Sequence, residues 1–160
     1  LGSFQLTQAE YPCTWQNHRR SLGWYHPKIH LDESRFTSEA VLGLESFSHF
    51  EVIFYMDQVS TDKIQTGTRH PRNRTDWPRV GIFAQRAKNR ANQLGLSRCR
   101  LLKVQRLTLT VQSLDAIDGI PVVDIKPYME EFAAEGPIKQ PTWSKEWMRD
   151  YYAPFSSKDT

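Results

Sequence analysis

The sequence predicts a mainly β fold, a small barrel or sandwich with a few short helical additions and no Rossmann domain. Three observations predict it. Several short segments rich in β-branched and aromatic residues recur between clusters of turn residues. Leu107, Leu109 and Val111 keep the period of two that marks a half-buried strand. The eight glycines include no G-x-G pair, so the phosphate-binding turn of a Rossmann domain is missing.

The elements follow in chain order. Residues 1–26 are irregular and aromatic, with Trp15, Trp24 and Tyr25. Lys28 to Leu31 reads as a strand. Thr37 or Ser38 is placed to cap a short helix running to about Glu45, with Val41, Leu42 and Leu44 as its apolar side. Phe50 to Met56 is β-forming and almost continuously apolar, which predicts a central strand. Residues 59–78, rich in Thr, Asp, Asn and Arg with two prolines, read as one long loop, a kind more often functional than idle. Val80 to Ala84 reads as a strand. Lys88 to Gly95 is too polar to enter a core. Ser97 to Val104 and Leu107 to Val111 form the arms of a hairpin, and Pro121 to Ile125 is a strand after the Asp118-Gly119 turn. Ser144 is expected to cap a closing helix that carries Trp147, Met148 and Tyr151. With no internal repeat and no low-complexity tract, residues 1–160 read as one domain.

Bulk properties exclude several classes. No apolar run approaches the ~20 residues that a membrane-spanning helix needs. Cys13 and Cys99 form no CxxC pair, and two lone thiols with no secretory signal pattern suggest a reduced, cytoplasmic protein. His26 and His30 are four apart, but Pro27 between them argues against a shared helical face, so no metal site is expected. There is no Walker A lysine loop, no HExxH and no G-x-S-x-G. The charge distribution is more informative than the net +3: from Arg69 to Arg106 there are eleven Lys or Arg residues against one acid, Asp76. Such a field attracts phosphate or nucleic acid, unless its charges pair with acids elsewhere in the chain.

Four clusters carry polar chemistry. The first is Leu44-Glu-Ser-Phe-Ser-His49, with Asp57 and Gln58 following at the end of the next strand. The second, Gly81-Ile-Phe-Ala-Gln-Arg86, delivers an arginine from a strand end. The third, Arg90-Ala-Asn-Gln-Leu-Gly-Leu-Ser97, is a polar loop whose Gly95 allows close backbone approach to a ligand. The fourth runs from Leu114 to Tyr128 and sets Asp115, Asp118 and Asp124 around two apolar stretches. Taken one at a time, each also has a structural reading as a turn, a rim residue or a connection.

Their order along the chain resembles one family. The third and fourth clusters resemble the R-P-N-P-I-G-L-S and D-G-T-P-V-L-D-I-K-P-Y signatures of the TsaA-like family of S-adenosylmethionine-dependent tRNA (adenine-N6) methyltransferases. The G-L-E-x-F-S-H and G-x-F-A-x-R motifs match the same family in the same order, so the resemblance runs from about Ile29 to Tyr128 and leaves 129–160 as a C-terminal extension with a helix. It implies a single small β-barrel that binds S-adenosyl-L-methionine, works as a homodimer and methylates N6 of a threonylcarbamoyl-type adenosine in tRNA. Carried over position by position, the cofactor-binding residues would be Asp57, Gln58, Arg86, Leu96, Asp115, Ala116, Ile117 and Asp118. Within that set, Asp57 or Asp118 would bond the ribose or amine, Arg86 the cofactor carboxylate, and the Leu96 backbone the adenine edge. Arg90, Asn92, Lys126 and Tyr128 are the candidates for the acceptor side. No catalytic base is assigned, because aligning acceptor, methyl carbon and sulfur and excluding water supply most of what such a transfer requires.

The departures from the family pattern matter too. The usual N-terminal Pro-Arg-Gln motif is replaced in that general region by Trp15-Gln-Asn-His-Arg-Arg20. Ala91 and Gln93 stand for the two prolines of R-P-N-P, which is expected to loosen the loop, and Ile120 stands for a threonine. These changes leave open a small-molecule acceptor or a non-catalytic module that binds S-adenosylmethionine or RNA. The C-terminal aromatics Trp143, Trp147, Tyr151, Tyr152 and Phe155 are too many for a solvated tail. They are expected to pack within the chain or against a second subunit.

Overall fold

In the computed structural model of the chain, residues 5–7 and 26–151 are described, the first three as backbone only. Cys13, the Trp15–Arg20 stretch, Trp24, Tyr25, Tyr152 and Phe155 lie outside them. Six strands form one sheet: β1 (Gln5–Thr7), β2 (Lys28–His30), β3 (His49–Tyr55), β6 (Leu94–Gln105), β7 (Thr108–Gln112) and β8 (Val122–Pro127). Their order is β1-β2-β7-β6-β3-β8, antiparallel throughout. β4 (Thr68–Arg69) and β5 (Val80–Gly81) form a separate two-stranded ladder, and one α-helix, α1 (Thr142–Met148), follows the sheet.

The mainly β class with short helices is as expected, but the barrel is not. β1 and β8 are the two edges of the six-stranded sheet and do not pair with each other, so the sheet stays open. Residues 59–84, the long stretch between β3 and β6, add no strand to either edge of that sheet. This stretch contains Pro71 and Pro78 and lacks period two. It folds instead as 3-10 turns at Thr61–Lys63, Pro71–Asn73 and Ile82–Ala84 with the two-residue ladder between them. The expected long loop at 59–78 is thus partly ordered, and the expected strand at 80–84 shrinks to β5.

The core lies on one face of the sheet. Ile29, Phe50, Val52, Phe54, Cys99, Leu109, Val111 and Val122 are all essentially inaccessible, each side chain worth ~1.5–3 kcal/mol if fully buried. β3 is paired on both sides, with β6 and β8. Its apolar run is not buried on both faces, however: Phe50, Val52 and Phe54 point inward while Glu51, Ile53 and Tyr55 face out. The β6–β7 hairpin turns through Arg106, at φ 53, and Leu107. Burial pushes the Cys99 thiol up to about 12, so the group stays protonated and unreactive at neutral pH.

Two helical expectations change. The helix at 37–45 becomes two 3-10 turns, Ser38–Val41 and Leu44–Ser46, separated by Gly43 at φ 83. No cap side chain bonds at Thr37, and Leu42 is left exposed. α1 starts two residues before Ser144, with Pro141 at its N-cap; the Ser144 hydroxyl donates to the Pro141 carbonyl at 3.0 Å from inside the helix. No helix among the described residues is long and apolar enough to cross a membrane.

Candidate cofactor site

Antiparallel pairing brings parts of the four clusters together, while residues 44–49 stay at the opposite end of β3. The C-terminal end of β3 and the N-terminal ends of β6 and β8 meet at one end of the sheet, because β3 runs against both neighbours. The loops at that end are the Asp57-Gln58 turn, residues 86–93 before β6, and residues 113–121 before β8.

Gln93 holds the first two loops to each other. Its side chain is buried, its Nε2 donates to the carbonyls of Met56 (3.1 Å) and Val59 (2.6 Å), and its Oε1 accepts from the Tyr55 hydroxyl at 3.1 Å. The Met56 N–H also donates to the Gln93 carbonyl at 2.8 Å. The exposed Asp57 and Gln58 therefore sit on a turn fastened at both ends. Gln93 has φ 52, which a proline ring, locked near −65°, cannot adopt. The loop expected to be loosened by losing its proline is clamped instead by the side chain that replaced it.

Gln93 belongs to a set that sequence reasoning missed. Gln85 and Asn89 are also buried, Gln85 donating to the carbonyls of Arg69 (3.2 Å) and Val80 (3.0 Å) and Asn89 to that of Lys63 (2.8 Å). The segment judged too polar for the interior contributes two of these three amides. Irregular backbone near the core needs such partners for its carbonyls. The signal that could have found them is the spacing of three amides four residues apart.

The glycine of the third cluster has a packing role. Gly95 lies opposite Phe54 in the ladder, and a Cβ there would fall 2.1 Å from the ring. The close approach that Gly95 permits is that of a core phenylalanine, not of a ligand.

Arg86 and the fourth cluster flank the first half of β6. β7 pairs with β6 only from Arg100 onward, so residues 94–99 have β3 on one side and no strand on the other. The exposed Arg86 reaches that open side and donates from Nη2 to the Leu96 carbonyl at 2.7 Å. In an antiparallel strand a residue's N–H and C=O point the same way, so the Leu96 N–H faces this side too. One residue on, the Ser97 hydroxyl accepts from the Asp115 N–H at 3.0 Å, while Ala116 and Ile117 pack half-buried against the core. The Asp115 carboxylate accepts from the Tyr151 hydroxyl. Gly119, at φ 74, turns the chain into β8 and leaves Asp118 exposed.

The acceptor-side candidates are not gathered in one place. Asn92 is exposed beside Gln93, within the same end of the sheet. Arg90 is occupied locally: its Nη1 donates to the carbonyls of Ile82 (3.1 Å) and Gln85 (2.6 Å), with its guanidinium over Phe83. Lys126 and Tyr128 lie toward the other end of the sheet. Lys126 pairs with Asp124 at 2.8 Å, which raises its pKa, and Tyr128 lies under the Arg98 guanidinium at 3.8 Å. Among the described residues no group of three or more His, Cys, Asp or Glu is placed to hold a metal ion.

The basic stretch divides in the same manner. Arg74 pairs with Asp76, holding that carboxyl below the usual range, and Arg98 pairs with Glu51 at 2.9 Å. Arg79, Arg86 and Arg90 serve backbone carbonyls. Arg100, Lys103 and Arg106 line β6 and its turn as exposed cations.

An open antiparallel sheet with polar loops at one end and an arginine beside an open strand edge defines a mainly β protein of non-Rossmann type. The chain belongs to the family of the tRNA-methyltransferase O N-terminal domain, whose family model matches residues 20–134. It is 38% identical over 106 residues to the tRNA (adenine(37)-N6)-methyltransferase of Escherichia coli, covering 64% of this chain and 45% of that one. To an S-adenosyl-L-methionine-binding protein of Archaeoglobus fulgidus it is 39% identical over 88 residues, covering 55% of this chain and 60% of the relative. It superposes on the crystal structure of TrmO from Pseudomonas aeruginosa with a TM-score of 0.62 at 26% identity, over 85% of this chain and 59% of that one. The chain thus spans less than half the length of the Escherichia coli enzyme that it matches.

Proposed function

We propose that this chain is an S-adenosyl-L-methionine-dependent methyltransferase acting on N6 of a modified adenosine, of threonylcarbamoyladenosine type, in tRNA. The observation that supports this best is the meeting of all the cofactor-side candidates around one sheet end, with Arg86 held against Leu96 beside an open strand edge. The residues present suit the cofactor. Arg86 offers two-pronged donors to a carboxylate. Asp57, Asp115 and Asp118 offer acceptors for the ribose hydroxyls and amine and offset the positive sulfonium. Ala116 and Ile117 offer an apolar wall, and the Leu96 N–H a donor to the adenine edge. When bound, the cofactor supplies an electrophilic methyl group. The chain's part is to fix its position, through the fastened Asp57-Gln58 turn and the Arg86–Leu96 contact, and to screen it from water.

On the acceptor side, Arg100, Lys103 and Arg106 supply positive potential for the RNA backbone, and Asn92 the nearest exposed polar side chain. Arg90, Lys126 and Tyr128 join the acceptor site only by giving up their present partners or by acting across a second copy. A homodimer is part of this reading: the outer face of β3, β6 and β8 exposes Tyr55, Leu94, Leu96 and Val123, a surface suited to pairing beside the cofactor. Residues 1–160 act in this reading as one domain of a cytoplasmic enzyme.

Labelled methyl transfer from S-adenosylmethionine to bulk tRNA, followed by nucleoside mass spectrometry, tests it. Label is expected in a methylated adenosine. Arg86→Ala should reduce the specificity constant by about 10- to 100-fold, the value of one hydrogen bond to a charged group. Label appearing elsewhere, or no label on tRNA from a protein that binds the cofactor, would move the acceptor to another class of molecule.

A further inference from the structure

The family match ends at residue 134, yet the segment beyond it reaches the cofactor loop. Helix α1 docks on the 69–79 loop through three indoles. Trp77, Trp143 and Trp147 stand 6.1 to 6.4 Å apart, centre to centre, with Trp77 buried among them. The Arg72 guanidinium lies over Trp147 at 5.0 Å and that of Arg74 over Trp77 at 4.1 Å. Glu146 accepts from the Trp77 indole N–H at 3.1 Å. Arg72 and Arg74 of the basic stretch are therefore used to seat a helix, and cation–π contacts of this kind add to the packing.

Seating α1 there fixes where the chain goes next. Three residues past Met148, the Tyr151 hydroxyl donates to the Asp115 carboxylate, and the Asp115 N–H is held by Ser97. A line of contacts runs from the 69–79 loop through α1 and Tyr151 to Asp115, Ser97 and the Leu96 backbone that Arg86 touches. We infer that Tyr151 is a positioning residue for cofactor binding, supplied by an extension outside the family domain, which orients the Asp115 carboxylate toward the ribose or amine of S-adenosylmethionine. The inference rests on the cofactor reading given above. A carboxylate with one oxygen held by a phenol loses rotational freedom before the ligand arrives, so less is lost on binding.

Calorimetric titration with S-adenosylmethionine tests it on the full chain, with Tyr151→Phe, Asp115→Ala and the double variant. Phenylalanine keeps the ring and removes only the hydroxyl. Tyr151→Phe is expected to bind about ten-fold more weakly with an unchanged melting temperature. Added to Asp115→Ala, which leaves the hydroxyl no side-chain acceptor at position 115, it should cause no further loss, since the two then report one interaction. In turnover the change should fall on KM for the cofactor and leave kcat unchanged. Equal affinity of Tyr151→Phe and the unsubstituted chain, or losses that simply add in the double variant, would overturn the positioning role and leave the cofactor reading intact. A folded, unsubstituted chain that does not bind would overturn both.

Discussion

Gly95→Ala is expected to be among the most destabilising single changes in this chain, lowering the melting temperature by about 6–12 °C for a loss of ~3 kcal/mol. The added Cβ would lie 2.1 Å from Cε2, 2.3 Å from Cζ and 2.7 Å from Cδ2 of Phe54. That ring is 2% exposed and sits in the core cluster with Val52 and Val122, so it has no empty volume to swing into. Either the ring leaves its rotamer or β3 and β6 move apart where they are directly paired. A thermal melt followed by circular dichroism checks this. The companion Phe54→Leu/Gly95→Ala pair should recover part of the loss, because leucine vacates the space over residue 95. A melting temperature unchanged by Gly95→Ala would mean that the Phe54 ring does not occupy that space.

Gln93→Ala should act on both stability and ligand binding. It deletes two hydrogen bonds to carbonyls and one from Tyr55, and leaves the Val59 carbonyl to find water in a half-closed loop, while the Met56 carbonyl keeps the Val59 N–H. A cost of ~2–4 kcal/mol follows from losing several bonds at a buried site. The turn that carries Asp57 and Gln58 then loses its fastening, so cofactor affinity should fall even at temperatures where the sheet is intact. Gln93→Pro, which restores the family's usual residue, is expected to be worse than alanine, since proline cannot take φ 52. Melting curves and cofactor titration on the same samples separate the two effects. A variant that melts lower but binds normally would show that Gln93 supports the sheet without ordering the turn.

The parts of the fold legible in the sequence are those whose burial is periodic. β3, the β6–β7 hairpin and β8 declare themselves because their β-branched and aromatic residues alternate or cluster between turn residues. Closure is a different matter. Whether β1 and β8 meet depends on pairing between the ends of the chain order, which no local pattern in either three- to six-residue strand encodes. Residues 59–84 were hard for a related reason. Their backbone is held by side-chain amides and arginines from 79 to 93, acting on carbonyls up to 34 residues away, and such bonds leave no periodicity.

The candidate site was legible mainly through resemblance. Asp57, Arg86, Leu96 and Asp115 have no common local signature, and only the antiparallel register of β3 with β6 and β8 places their loops at one end. Gly95 shows how a correct emphasis can carry the wrong reason: the glycine does permit a close approach, but by Phe54. The Tyr151–Asp115 contact joins residues 36 apart across the end of the family domain, so neither motif nor spacing points to it.

Calorimetric titration of the purified chain with S-adenosylmethionine, alongside Arg86→Ala, tests the central claim most directly. One site of micromolar affinity that is lost in Arg86→Ala is the predicted result. A folded protein that takes up no cofactor, or whose binding is indifferent to Arg86, would contradict the placement of the cofactor at this end of the sheet.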